Sequence, residues 1–169
     1  MRQTPFALVT AGMTAGLLLA ASTAFAVPSQ ADKTFAMKAA QGGLAEVQDG
    51  QLASLRAVSP QVKQFGQRMV TDHSQANQDL QQIAQQENLD LPTQASTTQQ
   101  SQDRRFSGMS GADFDKSYVG YEVKVHQEDA AVFRREAQSG KDPALKGFAQ
   151  KYLPMIQHHL QMAQALNNP

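Results

Sequence analysis

The stretch SPQVKQFGQRMVTDHSQANQDLQQI, residues 59–83, carries the pattern that decides the fold. Ser59 is a good N-cap and Pro60 suits the first position of a helix, so a helix is predicted to begin there. Apolar residues then recur at intervals of three and four, the period of one face of an α-helix, and one histidine shares that face. The positions are Val62, Phe65, Met69, His73, Ala76, Leu80 and Ile83. The stretch therefore predicts an amphipathic helix whose inward face includes His73.

A second stretch, DPALKGFAQKYL at 142–153, aligns without gaps on SPQVKQFGQRMV at 59–70 and also opens with a capping residue and a proline. The similarity indicates either a duplicated helical hairpin or two amphipathic helices that share a start signal. Periodicity and caps together predict helices over about 32–58, 60–87, 112–138 and 142–166. Pro154 inside the last of them predicts a kink.

The predicted fold is all-α, an antiparallel four-helix bundle with short first and third turns. A long connection, residues 88–111, joins helices two and three, and a short helical turn near 103–106 is predicted within it. Whether this connection crosses the bundle or folds back is left open by the sequence.

The first 26 residues have the composition of a secretory signal peptide. Arg2 supplies the positive start, an apolar run follows, and Ala24-Phe25-Ala26 fits the small-residue cleavage rule. We therefore expect cleavage near Ala26, a single mature domain over 27–169, and a periplasmic or secreted location. No second apolar run of membrane-spanning length follows, so no span is expected in the mature chain.

Charge and composition exclude several classes of partner. The chain has 15 basic and 15 acidic residues, so it has no net positive charge that would attract nucleic acid. Cysteine is absent, so disulfides and thiolate metal sites are excluded. A protein partner or a homo-oligomer is compatible with the sequence, but nothing in it identifies one.

The first helical hairpin is predicted to bring Glu46 and His73 to one level. The turn centres between Ser59 and Pro60, and the two residues are equally far from it along their helices. At a rise of about 1.5 Å per residue, both lie roughly 20 Å from the turn.

The second hairpin repeats this arrangement. Glu122 and His159 are equidistant from a turn near Gly140, and His126 lies one helical turn beyond Glu122. We therefore predict a polar layer in the middle of the bundle, formed by Glu46, His73, Glu122, His126 and His159.

Two interpretations of this polar layer follow from its chemistry. Imidazole and carboxylate groups bind Zn, Fe or Cu, so Glu46, His73, His126 and His159 could hold a single divalent ion, with Asp72 and Glu122 as supporting or additional ligands. Alternatively, Glu46 pairs with His73 and Glu122 with His126, and the pairs set the register of the bundle without a metal.

No motif in the chain identifies a reaction. There is no phosphate-binding loop, no dinucleotide fingerprint, no H-E-x-x-H zinc motif and no glycine-flanked serine nucleophile. The sequence thus favours a non-enzymatic envelope or stress-related protein with a buried polar layer. The alternative is a periplasmic metal-binding or redox protein that uses the same residues as ligands.

Four segments, FAMKAAQGGLAEVQDGQLA, VKQFGQRMVTDHSQAN, FDKSYVGYEVKVHQEDAAVF and LPMIQHHLQMAQAL, resemble in order the bacterial domain-of-unknown-function family numbered 4142. The resemblance covers about 32–166 and implies a ferritin-like four-helix bundle in an exported, often periplasmic, protein without an established activity. The residues it singles out are Glu46, Asp72, His73, His126 and His159.

The chain departs from metal-using ferritin-like enzymes, which carry Glu-x-x-His pairs on two helices. The residues three positions after Glu46, Glu122 and Glu128 are Asp49, Val125 and Ala131. A di-iron site of the usual kind is therefore not expected.

Overall fold

The computed structural model describes residues 27–168, and this part of the chain is all-α, as predicted. The predicted signal peptide lies outside the described residues. None of the described helices is long and apolar enough to span a membrane. The helices are α1 Gln30–Arg56, α2 Pro60–Glu87, α3 Thr97–Ser107, α4 Gly111–Ser139 and α5 Pro143–Asn167.

Local capping explains where three of the long helices begin. The side chains of Ser59 and Asp142 accept hydrogen bonds from the third backbone N–H of α2 and α5, and a proline follows each cap. A capping box between Ser29 and Asp32 starts α1 two residues earlier than periodicity alone suggests. Helix α5 continues through Pro154 to Asn167.

Helix α3 is longer than the short turn predicted near 103–106. Ser96 and Gln99 form a capping box at its start, and Phe106 is its one buried residue. A single buried position produces no apolar periodicity, which is why the sequence pattern did not reveal the helix. Helix α3 packs against α1 and α4, so the connection runs across these two helices.

The four long helices contact one another in a closed order. Helix α1 packs along α2, α4 packs along α5, and the contacts of α2 with α5 and of α1 with α4 complete the ring. Helices α1 and α2 lie close together at Gly50 and Gly66. A Cβ atom on Gly66 would lie 2.8 Å from the Gly50 carbonyl oxygen, so both positions require glycine.

The core consists of two apolar clusters with the polar layer between them. Along α2, Val62, Phe65 and Met69 belong to one cluster, while Ala76 and Leu80 belong to the other. His73 lies between these groups, and the other helices repeat the alternation. The apolar clusters therefore exclude water from the polar layer on both sides along the helix axes.

Candidate metal centre

Three histidines from three helices meet in the polar layer. We call His73 of α2, His126 of α4 and His159 of α5 the histidine cluster; all three are buried. Their ring centroids lie 5.3–5.8 Å apart. One ring nitrogen of each lies within 4.8 Å of a ring nitrogen of the other two. Nitrogens that each lie roughly 2.0–2.1 Å from one tetrahedral zinc ion are about 3.3 Å from one another, so the rings would have to move closer together to hold it.

Hydrogen bonds set which nitrogen is free in two of the three rings. His126 Nδ1–H donates to the carbonyl oxygen of Glu122 at 2.9 Å, and His159 Nε2–H donates to Asp72 Oδ2 at 2.9 Å. In a neutral ring the opposite nitrogen then carries a lone pair. These opposite atoms, His126 Nε2 and His159 Nδ1, are buried without a hydrogen-bond partner, as is His73 Nε2.

Asp72 supports the cluster from the surface between α2 and α5. Its side chain is one quarter exposed, and Arg68 pairs with the same Oδ2 atom at 3.2 Å. The carboxylate therefore orients the His159 ring while itself remaining in contact with solvent and with a positive charge. This is the way in which proteins commonly hold histidines that bind metals.

A group of carboxyl side chains adjoins the histidine cluster. One atom each from Glu46, Glu122 and His126 lies within 4.8 Å of the other two, and Glu122 Oε2 is 3.3 Å from His126 Nδ1. That Nδ1–H already donates to the Glu122 carbonyl oxygen, and the Glu122 carboxyl group is hydrogen-bonded to that of Glu46. The 3.3 Å approach is thus a close contact and not a hydrogen bond. Asp49, one turn after Glu46, is also buried.

Burial dominates the protonation of these groups. It raises the pKa of Glu46 well above its ordinary range and the pKa of Glu122 to about 8. Burial, with Asp103 nearby, raises the pKa of Asp49 to about 10. Burial lowers the pKa of His73 well below its ordinary value and that of His159 to about 4. At neutral pH these two histidines are therefore uncharged, which is the form that binds metals.

The predicted ligands thus divide into two overlapping groups that share His126. Glu46 lies with Glu122 and His126 and is not part of the histidine cluster. The expected pairing of Glu46 with His73 is not seen, since Glu46 Oε2 and His73 Nε2 both lack a hydrogen-bond partner. The expected approach of Glu122 to His126 is present, although it is not a hydrogen bond.

Sequence reasoning overlooked two acidic residues beside this site. Asp49 lies three positions after Glu46 and so shares its helix face, a signal that was available from spacing alone. Asp103 is on α3, and after burial a side-chain hydrogen bond from it is the next largest cause of the raised pKa of Asp49. Nothing in the sequence pattern predicts that contact, because it depends on how α3 crosses α1.

Comparison with known proteins shows the family of the chain. The searches among curated proteins and among solved structures each gave no match. The family model described as Domain of unknown function (DUF4142) matches residues 18–166. Because this match spans most of the chain, the protein belongs to the DUF4142 family.

Proposed function

We propose that this protein is an exported metal-binding protein, and that His73, His126 and His159 hold one divalent transition-metal ion. The observation that carries the proposal is the set of three buried ring nitrogens without hydrogen-bond partners, contributed by three helices to one layer. A buried polar atom left unpaired costs about 1–3 kcal/mol. A metal ion would give all three nitrogens a partner at once.

The donor set favours particular metals. Neutral imidazole is a good ligand for Zn, Cu, Fe and Ni, whereas all-oxygen sites suit Mg, Ca and Mn. When bound, such an ion would supply Lewis acidity or, for Cu or Fe, a redox centre. The chain's own part is to orient the rings through Asp72 and the Glu122 carbonyl, and to exclude water with the two apolar clusters.

The proposal includes a ferritin-like four-helix bundle and export to the periplasm. The ring of contacts among the four long helices supports the bundle, and the composition of residues 1–26 supports the export. A di-iron centre of the ferritin type does not fit, because the residues present lack the two Glu-x-x-His pairs it uses. We therefore propose a histidine-rich centre.

The competing function is a non-enzymatic envelope or stress-related protein whose polar layer sets the helix register. The approach of Glu122 to His126 favours it, as does the position of the layer between two apolar clusters. A layer that served only the register would be expected to satisfy its own polar atoms. In this layer His73, His126 and His159 each retain an unpaired ring nitrogen.

Elemental mass spectrometry of untagged protein from a periplasmic fraction would show whether it carries metal. The sharper test is a thermal shift with Zn²⁺, comparing His159→Ala with His158→Ala. These neighbours form a matched pair, since His159 is buried in the site and His158 is exposed. Zn²⁺ at 100 times its Kd should stabilise the wild type by about 2.7 kcal/mol.

For a domain of this size that stabilisation corresponds to an increase in Tm of roughly 5–10 °C. We expect the same increase in His158→Ala and none in His159→Ala. A wild type whose Tm does not respond to Zn²⁺, Cu²⁺ or Fe²⁺ would contradict the metal site and favour the register-setting layer.

A further inference from the structure

The histidine cluster is buried, so an ion must pass between side chains to reach it. His126 and His159 are fully buried, and His73 is 6% exposed. In the described part of the chain, two larger pockets of about 640 and 510 Å³ are lined by residues near the helix ends and contact none of the three histidines. The slight exposure of His73 therefore indicates the side of the bundle from which the cluster is reached.

A small cavity adjoins His73. Its volume is about 20 Å³, enough for one water molecule, and His73, Asn77 and Asp129 form the polar part of its wall. Asn77 reaches this wall because Gly43 of α1 leaves room for it: a Cβ atom on Gly43 would overlap the Asn77 side-chain oxygen. Oxygen and nitrogen atoms of this kind replace the water molecules that a metal ion sheds when it enters a protein.

An open groove of about 300 Å³ lies next to this cavity, on the surface between α2 and α5. Tyr152 and Met155 line both the groove and the cavity, so these two side chains stand between them. Asp72 also lines the groove, and its carboxylate accepts the hydrogen bond from His159. The groove thus connects solvent with the carboxylate that orients one histidine and with the wall of the cavity that contacts another.

Of the two side chains in this wall, Met155 is the one free to move. The Tyr152 hydroxyl donates to Asp79 Oδ2 at 2.7 Å, which holds its ring in place. Met155 is half-buried, and its unbranched side chain adopts several conformations easily. Pro154 precedes it inside α5. Because proline has no N–H, the carbonyl oxygen of Gln150 loses its helical partner, and α5 is weakened at this turn.

We propose that Met155 is the gate of a route by which the divalent ion reaches the histidine cluster, from the groove at Asp72 through the cavity beside His73. The inference rests on the proposed function, because it concerns the loading of that same site. Displacement of Met155 joins the groove to the cavity, and an ion that passes it meets His73 first. Since a gate acts equally on entry and on exit, it sets the rates of binding and release without changing the affinity.

Two methionines of α5 provide a matched test. Met155 and Met162 are both half-buried, but they pack against different apolar clusters, on opposite sides of the polar layer. Truncation of either one to alanine should cost a similar amount of stability. Entry through a general opening of the bundle would therefore become faster to the same extent in both variants, whereas entry past Met155 predicts a change in Met155→Ala alone.

Stopped-flow mixing of chelator-treated protein with Zn²⁺ and a chromophoric chelator measures the binding rate, and transfer of bound Zn²⁺ to excess chelator measures the release rate. We expect both rates to rise about threefold or more in Met155→Ala, with an unchanged Kd, and to keep their wild-type values in Met162→Ala. Pro154→Ala restores the missing N–H and should slow both rates. Gly147→Ala strengthens the same helix by propensity alone and should not slow them.

The two proposals fail in different ways. A wild type that binds no Zn²⁺ would overturn the proposed function and the route with it. A wild type that binds Zn²⁺, with equal rates in Met155→Ala and Met162→Ala, would overturn the route and leave the metal site in place.

Discussion

Replacing Gly66 with alanine should destabilise the protein, whereas the same replacement at Gly147 should stabilise it. Gly66 of α2 faces α1, and a new Cβ there would lie 2.7 Å from the Cβ of Ala53 and 2.8 Å from the Gly50 carbonyl oxygen. Gly147 is exposed on α5, and a Cβ there would meet nothing within 4 Å.

Two opposing effects determine the size of the change. Alanine favours a helix over glycine by about 0.5–1 kcal/mol, and this gain applies to both positions. Carbon atoms in contact normally lie about 3.5–4.0 Å apart, so at Gly66 the helices must separate by several tenths of an ångström or more. Overpacking of this kind costs about 1–3 kcal/mol. Gly66→Ala should therefore lose roughly 1–2 kcal/mol, while Gly147→Ala gains about 0.5–1 kcal/mol.

Thermal unfolding followed by far-ultraviolet circular dichroism measures both variants under one condition. At roughly 2–4 °C per kcal/mol, Gly66→Ala should lower the Tm by about 2–8 °C and Gly147→Ala should raise it by about 1–4 °C. A Gly66→Ala protein as stable as the wild type would refute the close approach of α1 and α2. A displaced α2 would also move His73 away from His126 and His159, so Zn²⁺ binding should weaken in Gly66→Ala and not in Gly147→Ala.

Three further predictions follow from single contacts. Asp72→Asn should weaken Zn²⁺ binding by about 10–100-fold, because the His159 ring loses its carboxylate partner. Competition with a chromophoric chelator measures the Zn²⁺ affinity, and an unchanged affinity would contradict the role of Asp72. Burial raises the pKa of Glu136 from 4.5 to about 7, so its contribution to stability is complete below pH 4.5 and is lost as the pH rises through 7. The free energy of unfolding in urea should therefore fall less between pH 5 and pH 8 in Glu136→Gln than in the wild type. An equal fall in both proteins would show that the pKa of this carboxyl is not raised. Tyr152→Phe should lose about 0.5–1.5 kcal/mol, since its hydroxyl donates to Asp79 Oδ2 at 2.7 Å; an unchanged Tm would mean that solvent replaces this bond without cost.

Local sequence was sufficient for the helical class and for much of the helix placement. Ser59-Pro60 and Asp142-Pro143 stand at the starts of α2 and α5, because a cap and a proline act within one helical turn. The inward position of His73 also follows from local spacing, since a helix turns by the same angle per residue wherever it lies. Only a short turn near 103–106 of helix α3 was predicted, because Phe106 is its one buried residue and a single buried position gives no apolar period.

The partners of each buried polar group were decided by the tertiary structure. Equal distance from a turn predicted that Glu46 would pair with His73, yet Glu46 groups with Glu122 and His126 across the α1–α4 contact. Counting along two helices gives their common level but not the rotation of one against the other, which depends on packing such as that of Gly50 on Gly66. The sequence by itself determined which residues face inward, because that depends on helical period. Only the tertiary structure decided which of them meet, because those contacts join segments far apart in the chain.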